Sequence, residues 1–196
     1  MRATMRLCLN LKQSVTCSVQ NANQVSSLLR VLALAGFLAL SIGTGRSDET
    51  KAATAQNAAT DFYTIAVGGK AVRMQLAVKR AEMEHGLMGR TDLKTDEGML
   101  FLYAKPQRMS FWMRNTPTPL DIGFFAADGT LKEIYPLYPF DETPVASRGG
   151  ALMFALEMKQ GWFEFNGVKP GAQLDLRALA VALRVRGFSP AAYGLK

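Results

Sequence analysis

The stretch Ser110 to Ile122, SFWMRNTPTPLDI, gathers an indole, a guanidinium, a carboxamide and a carboxylate in one short run. With Thr116 to Pro119 as a four-residue loop, antiparallel pairing places Arg114 opposite Asp121 and Trp112 opposite Gly123. It also sets Met113 against Ile122 and Phe111 against Phe124. Phe111, Met113, Ile122 and Phe124 then face a core, while Trp112, Arg114, Asp121 and Gly123 form a separate surface. A tryptophan facing a glycine keeps part of its ring uncovered, and a flat apolar ring beside an ion pair suits sugars and other polyhydroxylated molecules. The expected ligand-binding residues are Trp112, Arg114, Asn115 and Asp121. A purely structural reading uses the same register: cross-strand Arg–Asp pairs stabilise sheets, and Trp over Gly fills a weak point in a strand. A single bulge would void either.

Catalytic chemistry finds few alternatives. His85 is the chain's one histidine and lies beside Gly86 on a predicted helix, where a solvated or capping role is expected. Ser110 or Ser147 would have to reach it to build a hydrolytic triad, and no nucleophile elbow is present. Both cysteines, Cys8 and Cys17, precede an apolar leader, so the part beyond it has no thiolate for zinc, redox or nucleophilic work. The acids Asp92, Asp96, Glu97, Asp141 and Glu142 lack the alternate spacing of a Ca²⁺ loop, and no glycine-rich phosphate cradle occurs. No metal and no cofactor is expected. A carboxylate-dependent hydrolase or lyase acting on envelope polymers would use Asp121 as acid or base and Arg114 to stabilise charge. Such chemistry needs a second carboxyl about 5 to 9.5 Å away, for which Glu97 or Asp141 are the candidates.

The elements that must position these residues read as short strands. Phe62 to Val67 and Lys70 to Lys79 flank Gly68-Gly69, a hairpin turn. In the second strand Val72, Met74, Leu76 and Val78 point one way and Ala71, Arg73, Gln75, Ala77 and Lys79 the other. A helix is predicted over Arg80 to Met88, ended by Gly89. Strands follow at Gly98 to Tyr103, Met109 to Asn115, Leu120 to Phe125 and Leu131 to Tyr135, arranged as a meander with a turn at Asp128-Gly129. Beyond an irregular Pro136 to Gly150, Ala151 to Met158 reads as a strand, Gln160 to Phe165 as a helical turn and Ala172 to Leu176 as a last strand. Seven or more short strands with one or two short helices predict a mainly β domain, a compact jelly-roll-like barrel or sandwich of antiparallel strands.

Gly86-Leu87-Met88 with Arg90, the run Glu97-Gly98-Met99-Leu100-Phe101, and Phe111 to Thr116 with Pro119-Leu120-Asp121-Ile122 resemble the uncharacterised ACR family, domain of unknown function 192. The resemblance runs from about Phe62 to Leu176. It implies a β-rich, jelly-roll-like domain, often exported, with no agreed activity. It carries over Trp112, Met113, Arg114, Asn115, Thr116, Pro119, Leu120 and Asp121 without roles, and Lys79, His85 and Tyr138 to Gly150 depart from the pattern.

The 196 residues allow one domain with extensions. The formal charge of +7 is concentrated at the start: the first 46 residues hold no acid but include Arg2, Arg6, Lys12, Arg30 and Arg46. Removing those five from the chain's 23 bases leaves 18 against all 16 acids. Without a basic stripe, nucleic-acid binding is not expected. Val31 to Ile42 is an apolar run after Arg30, followed by Gly43-Thr44-Gly45, too short to span a bilayer on its own and suited to a signal peptide. Residues 1–45 are therefore expected to be a signal peptide or uncleaved inner-membrane anchor, 46–60 a flexible linker without large apolar residues, 61–176 the β-rich domain and 177–196 a tail. The expected protein is a monomeric periplasmic or otherwise extracytoplasmic domain touching the membrane only through its N-terminal segment. Its expected role is non-catalytic binding of a small polar ligand or a cell-envelope component. Fractionation of cells expressing the tagged full chain should recover it in the periplasmic or envelope fraction, within reach of protease added outside spheroplasts. Deleting Val31 to Ile42 should retain it in the cytoplasm, and full protease protection of the intact chain would refute the address.

Overall fold

The computed structural model describes residues 60–196, so the leader expected over 1–45 and nearly all of the expected linker lie outside the described residues. Strands β1 (Tyr63–Val67) and β2 (Lys70–Ala77) form the expected hairpin, with Gly68 and Gly69 at φ 57° and 79°. A short helix α1 (Arg80–His85) leads to β3 (Glu97–Gln107), then β4 (Ser110–Phe111), β5 (Leu120–Ala126), β6 (Leu131–Leu137), β7 (Val145–Ala146) and β8 (Leu152–Lys159). Helices α2 (Trp162–Phe165) and α3 (Leu176–Val185) and a 3₁₀ turn, Pro190–Tyr193, complete the chain. Among the described residues no helix is long and apolar enough to cross a membrane.

The protein is mainly β and sandwich-like. Six strands form one sheet in the order β1-β2-β3-β8-β5-β6, and β4 pairs with β7 in a small second one. The large sheet is open rather than closed into a barrel, and mixed rather than wholly antiparallel, because β2 and β3 run parallel. The expected meander is also replaced: β8 enters between β3 and β5. The cause lies in β8 itself. LMFALEM, residues 152–158, is buried at every position, and a strand apolar on both faces reaches lowest energy at the centre of a sheet with cover on each side.

Alternation divides that cover into two cores. Leu76, Leu100, Leu102, Leu156 and Met158 face one cluster, closed by Trp162, Phe163, Leu179 and Leu183. Ala77, Met99, Phe101, Ile122, Phe124 and Ala155 face the other, closed by Leu87, Leu93, Met109 and Met113. The outward set expected for β2 is thus only half solvated, since Gln75 and Ala77 are buried beneath the second layer.

The last expected strand is reduced to two isolated bridges, Thr130 with Gln173 and Val67 with Leu174. The segment assigned to a tail folds as α3, whose Leu179, Ala180, Ala182 and Leu183 make one buried stripe; the side chain of Asp175 accepts from the Arg177 and Ala178 amides at its start. Just beyond α3, the Arg186 guanidinium is buried: Nη2 lies 2.7 Å from Glu82 Oε1, and Nη1 donates to the Leu76 carbonyl. Burial acts to raise the Glu82 pKa, but hydrogen bonds from Arg186 and the Lys79 and Val78 amides outweigh it and hold the carboxyl below its usual range.

Gly98 marks where β3 and β8 meet most closely: a Cβ there would run into the Glu157 carbonyl and the Met158 sulfur, whereas one on Gly150 would meet nothing within 4 Å. Gly98→Ala should therefore lower unfolding stability by about 2–4 kcal/mol, with Gly150→Ala within about 0.5 kcal/mol of wild type, as read by denaturant titration.

Candidate functional site

Along β8, Phe154, Leu156 and Met158 point to the first core, leaving Ala155 and Glu157 on the opposite face. Glu157 is 5% exposed, and its strand neighbours are Met99 on β3 and Ile122 on β5. Among the described residues no group hydrogen-bonds or ion-pairs with its carboxyl, and burial alone pushes its pKa from the ordinary 4.5 up to about 8. The acid is therefore mainly neutral at pH 7. It reaches solvent through a pocket of about 170 Å³ bounded by α1 and its exit turn on one side and the β4 segment on the other.

Each wall follows from local sequence. Phe101 and Tyr103 reach the pocket from the same face of β3, and Phe111 from β4 packs on that layer, its ring 5.0 Å from Phe101 and 5.9 Å from Phe124. Glu84 and His85 come from the end of α1, which turns sharply at Gly86, φ 52°. Trp112 stands at the rim, 48% exposed. Burial raises the pKa of the Tyr103 hydroxyl, and the neighbouring Glu157 carboxyl raises it further.

The expected four-residue constellation does not assemble. Ser110 and Phe111 pair with Ala146 and Val145 on β7, whereas Asp121 lies between Pro136 and Met158, and Gly123 between Ile134 and Leu156. Pro117 and Pro119 lack amide donors and Asn115 takes a left-handed φ of 53°, so residues 112–119 leave the ladder. Trp112 and Arg114 remain together: the guanidinium lies 5.7 Å from the indole ring and 4.0 Å from Glu142. Asn115 is exposed, and its carbonyl accepts from the Gly89 amide at 2.8 Å. Asp121 is across the sheet, where it accepts from the Gly161 amide at 2.7 Å. Burial raises its pKa, that hydrogen bond lowers it, and Glu164 raises it again.

The acids offered as a partner for Asp121 are also elsewhere. Glu97 alternates to the other face of the sheet and is bound to Arg73 at 2.6 Å, and Asp141 accepts from the Thr143 amide in the loop beside Met113. Ser147 is fully buried, accepting from the Met109 amide and donating to the Gly149 carbonyl, which makes it a structural residue. Among the described residues no group of three or more His, Cys, Asp or Glu is placed to hold a metal ion. Glu157 went unnoticed in the sequence, although one signal was there: it is the sole charge in an otherwise apolar run.

An open mixed sheet with a core on each face, and a pocketed acid beneath one of them, defines a mainly β, sandwich-like domain. The chain belongs to the uncharacterised ACR family, domain of unknown function 192, whose sequence profile matches residues 63–176. Two solved structures are similar to it. One, from Sinorhizobium meliloti, is described as a presumed transcription regulator, with 33% identity and TM-score 0.53 over 58% of this chain and 94% of that one. The other, from Novosphingobium aromaticivorans, is a protein of unknown function with 39% identity and TM-score 0.53 over 58% of this chain and 82% of that one. No curated protein matches the chain.

The buried acid has a consequence for stability. In the unfolded chain Glu157 titrates near 4.5, so between about 4.5 and about 8 the folded state binds the extra proton. Its contribution is intact below pH 4.5 and is lost as pH rises through about 8. Wild type should lose on the order of 1 kcal/mol per pH unit across that window relative to Glu157→Gln. Thermal unfolding of both proteins from acid to alkaline pH checks this; parallel profiles would show that the carboxyl is not desolvated.

Proposed function

We propose that this domain is a non-catalytic binding module working outside the cytoplasmic membrane. In this reading it holds a small polar ligand, free or part of a cell-envelope component, between Trp112 and Glu157. The observation that carries the reading is the carboxyl of Glu157, buried at the inner end of a pocket without a partner from the described chain. Burying a polar group unpaired costs stability, and a protein that keeps one facing a pocket gains when a ligand completes the pairing. The half-exposed Trp112 ring at the rim supplies a flat apolar contact, and the pocket, smaller than the several hundred Å³ typical of drug-sized ligands, suits a head group. The leader supports export, and 18 bases against 16 acids after residue 46 do not favour nucleic acid.

A carboxylate-dependent hydrolase or lyase is the second reading, moved from Asp121 to this pocket. Glu84, exposed and paired with Arg80 at 2.7 Å, shares the pocket with the neutral Glu157, and acid–base enzymes use such unlike carboxyls. Screening the purified full chain against polar metabolites and envelope fragments by thermal shift should find ligands that raise its Tm. Their affinity should drop at least about tenfold in Trp112→Ala and in Glu157→Gln, with circular dichroism of both variants unchanged. Ligands indifferent to both substitutions would place the site elsewhere, and product release abolished by Glu157→Gln would favour the enzyme.

A further inference from the structure

Among the described residues, the charged and titratable groups that line the pocket with Glu157 are Glu84 and His85 from α1 and Tyr103 from β3, and no lysine or arginine lines it. Glu84 is engaged by Arg80, and no base of the described chain pairs with Glu157. Four aromatic residues, Phe101, Tyr103, Phe111 and Trp112, border the same space. Aromatic faces carry negative electrostatic potential, so rings and carboxyl together make a site whose missing element is positive charge. Trp112 already attracts a cation, since the Arg114 guanidinium lies 5.7 Å from its ring. An anion would meet the carboxyl with no cation among the described lining residues to offset it, Arg114 and Arg80 lying outside the lining and engaged with Trp112 and Glu84, and a neutral ligand would leave the ring potential unused.

We infer that the Glu157 pocket selects ligands bearing an organic ammonium head group, set among the aromatic rings with the Glu157 carboxylate as its counter-ion. This rests on the binding reading above and names its ligand class. Because Glu157 enters the pair ionised, binding breaks the carboxyl O–H bond and passes its proton to the buffer; the ammonium group takes the proton's place as the positive partner and itself forms no covalent bond. Affinity should therefore rise about tenfold per pH unit up to about pH 8, where the carboxyl ionises unaided, and level off above it.

The test titrates the purified full chain with choline, its uncharged isostere 3,3-dimethylbutan-1-ol, ethanolamine and acetate by calorimetry. Two buffers of different ionisation enthalpy count the protons released. Choline or ethanolamine should bind with release of close to one proton below pH 8, and at least about tenfold more tightly than the isostere. His85→Gln should keep that proton release, and Glu157→Gln should abolish both the release and the pH dependence. Binding of the isostere or acetate in preference to both amines would overturn the ammonium assignment and leave the pocket reading standing. Absence of binding by all four probes would overturn the assignment, while a Glu157-dependent hit from the broader screen would still preserve the pocket reading. Proton release that persists in Glu157→Gln would move the counter-ion to another group and refute the inference.

Discussion

The burial of β8 on both of its faces organises most of this fold. A strand with no solvent side needs a hydrogen-bonded neighbour on each edge and an apolar layer above and below. β3 and β5 supply the edges, although more than forty residues separate β3 from β8 in the chain. One layer is helical, from α2 and α3; the other is irregular, from the turn after α1 and the residues around β4 and β7. The second layer holds the pocket that contains Glu157, between the end of α1 and the β4 segment.

The same strand explains why Glu157 is uncommon. Along a central strand each side chain inherits the environment of its face, and the Glu157 face is lined by Met99, Phe101 and Ile122. An acid at that place is desolvated by neighbours that offer it nothing in return, unlike Glu82, which burial also disfavours but which Arg186 and two backbone amides satisfy. The partly buried Glu82 is thus committed to structure, whereas the carboxyl of Glu157 is left available.

The Arg186–Glu82 pair has a positional consequence. It ties the residue after α3 to the helix whose far end, Glu84 and His85, forms a pocket wall. Buried ion pairs contribute little net stability relative to apolar contacts, but removing one partner strands the other, so the pair holds α1 in a defined place. A C-terminal element on one face of the sheet thereby helps to set the shape of a pocket on the other.

Properties carried by near neighbours were legible in the sequence alone. Gly68-Gly69 between alternating residues determined the β1–β2 hairpin, the strand count determined a mainly β class, and the separated motifs around Gly98 and Trp112 marked the family. The Trp112–Arg114 contact is likewise local, between residues that alternation along the expected strand had set on one face. The arrangement of partners was not. Pairing Phe111 with Phe124 satisfied the alternation of both segments, and nothing local revealed that the two flanks of Leu120 would be claimed by β6 and β8 while β4 paired with β7. Alternation tells which residues share a face within one strand, but strand order is decided by which long-range pairing buries the most apolar surface. Hence Asp121 and Trp112, close in sequence, lie on opposite sides of the sheet, whereas Glu157 and Trp112, forty-five residues apart, line one pocket.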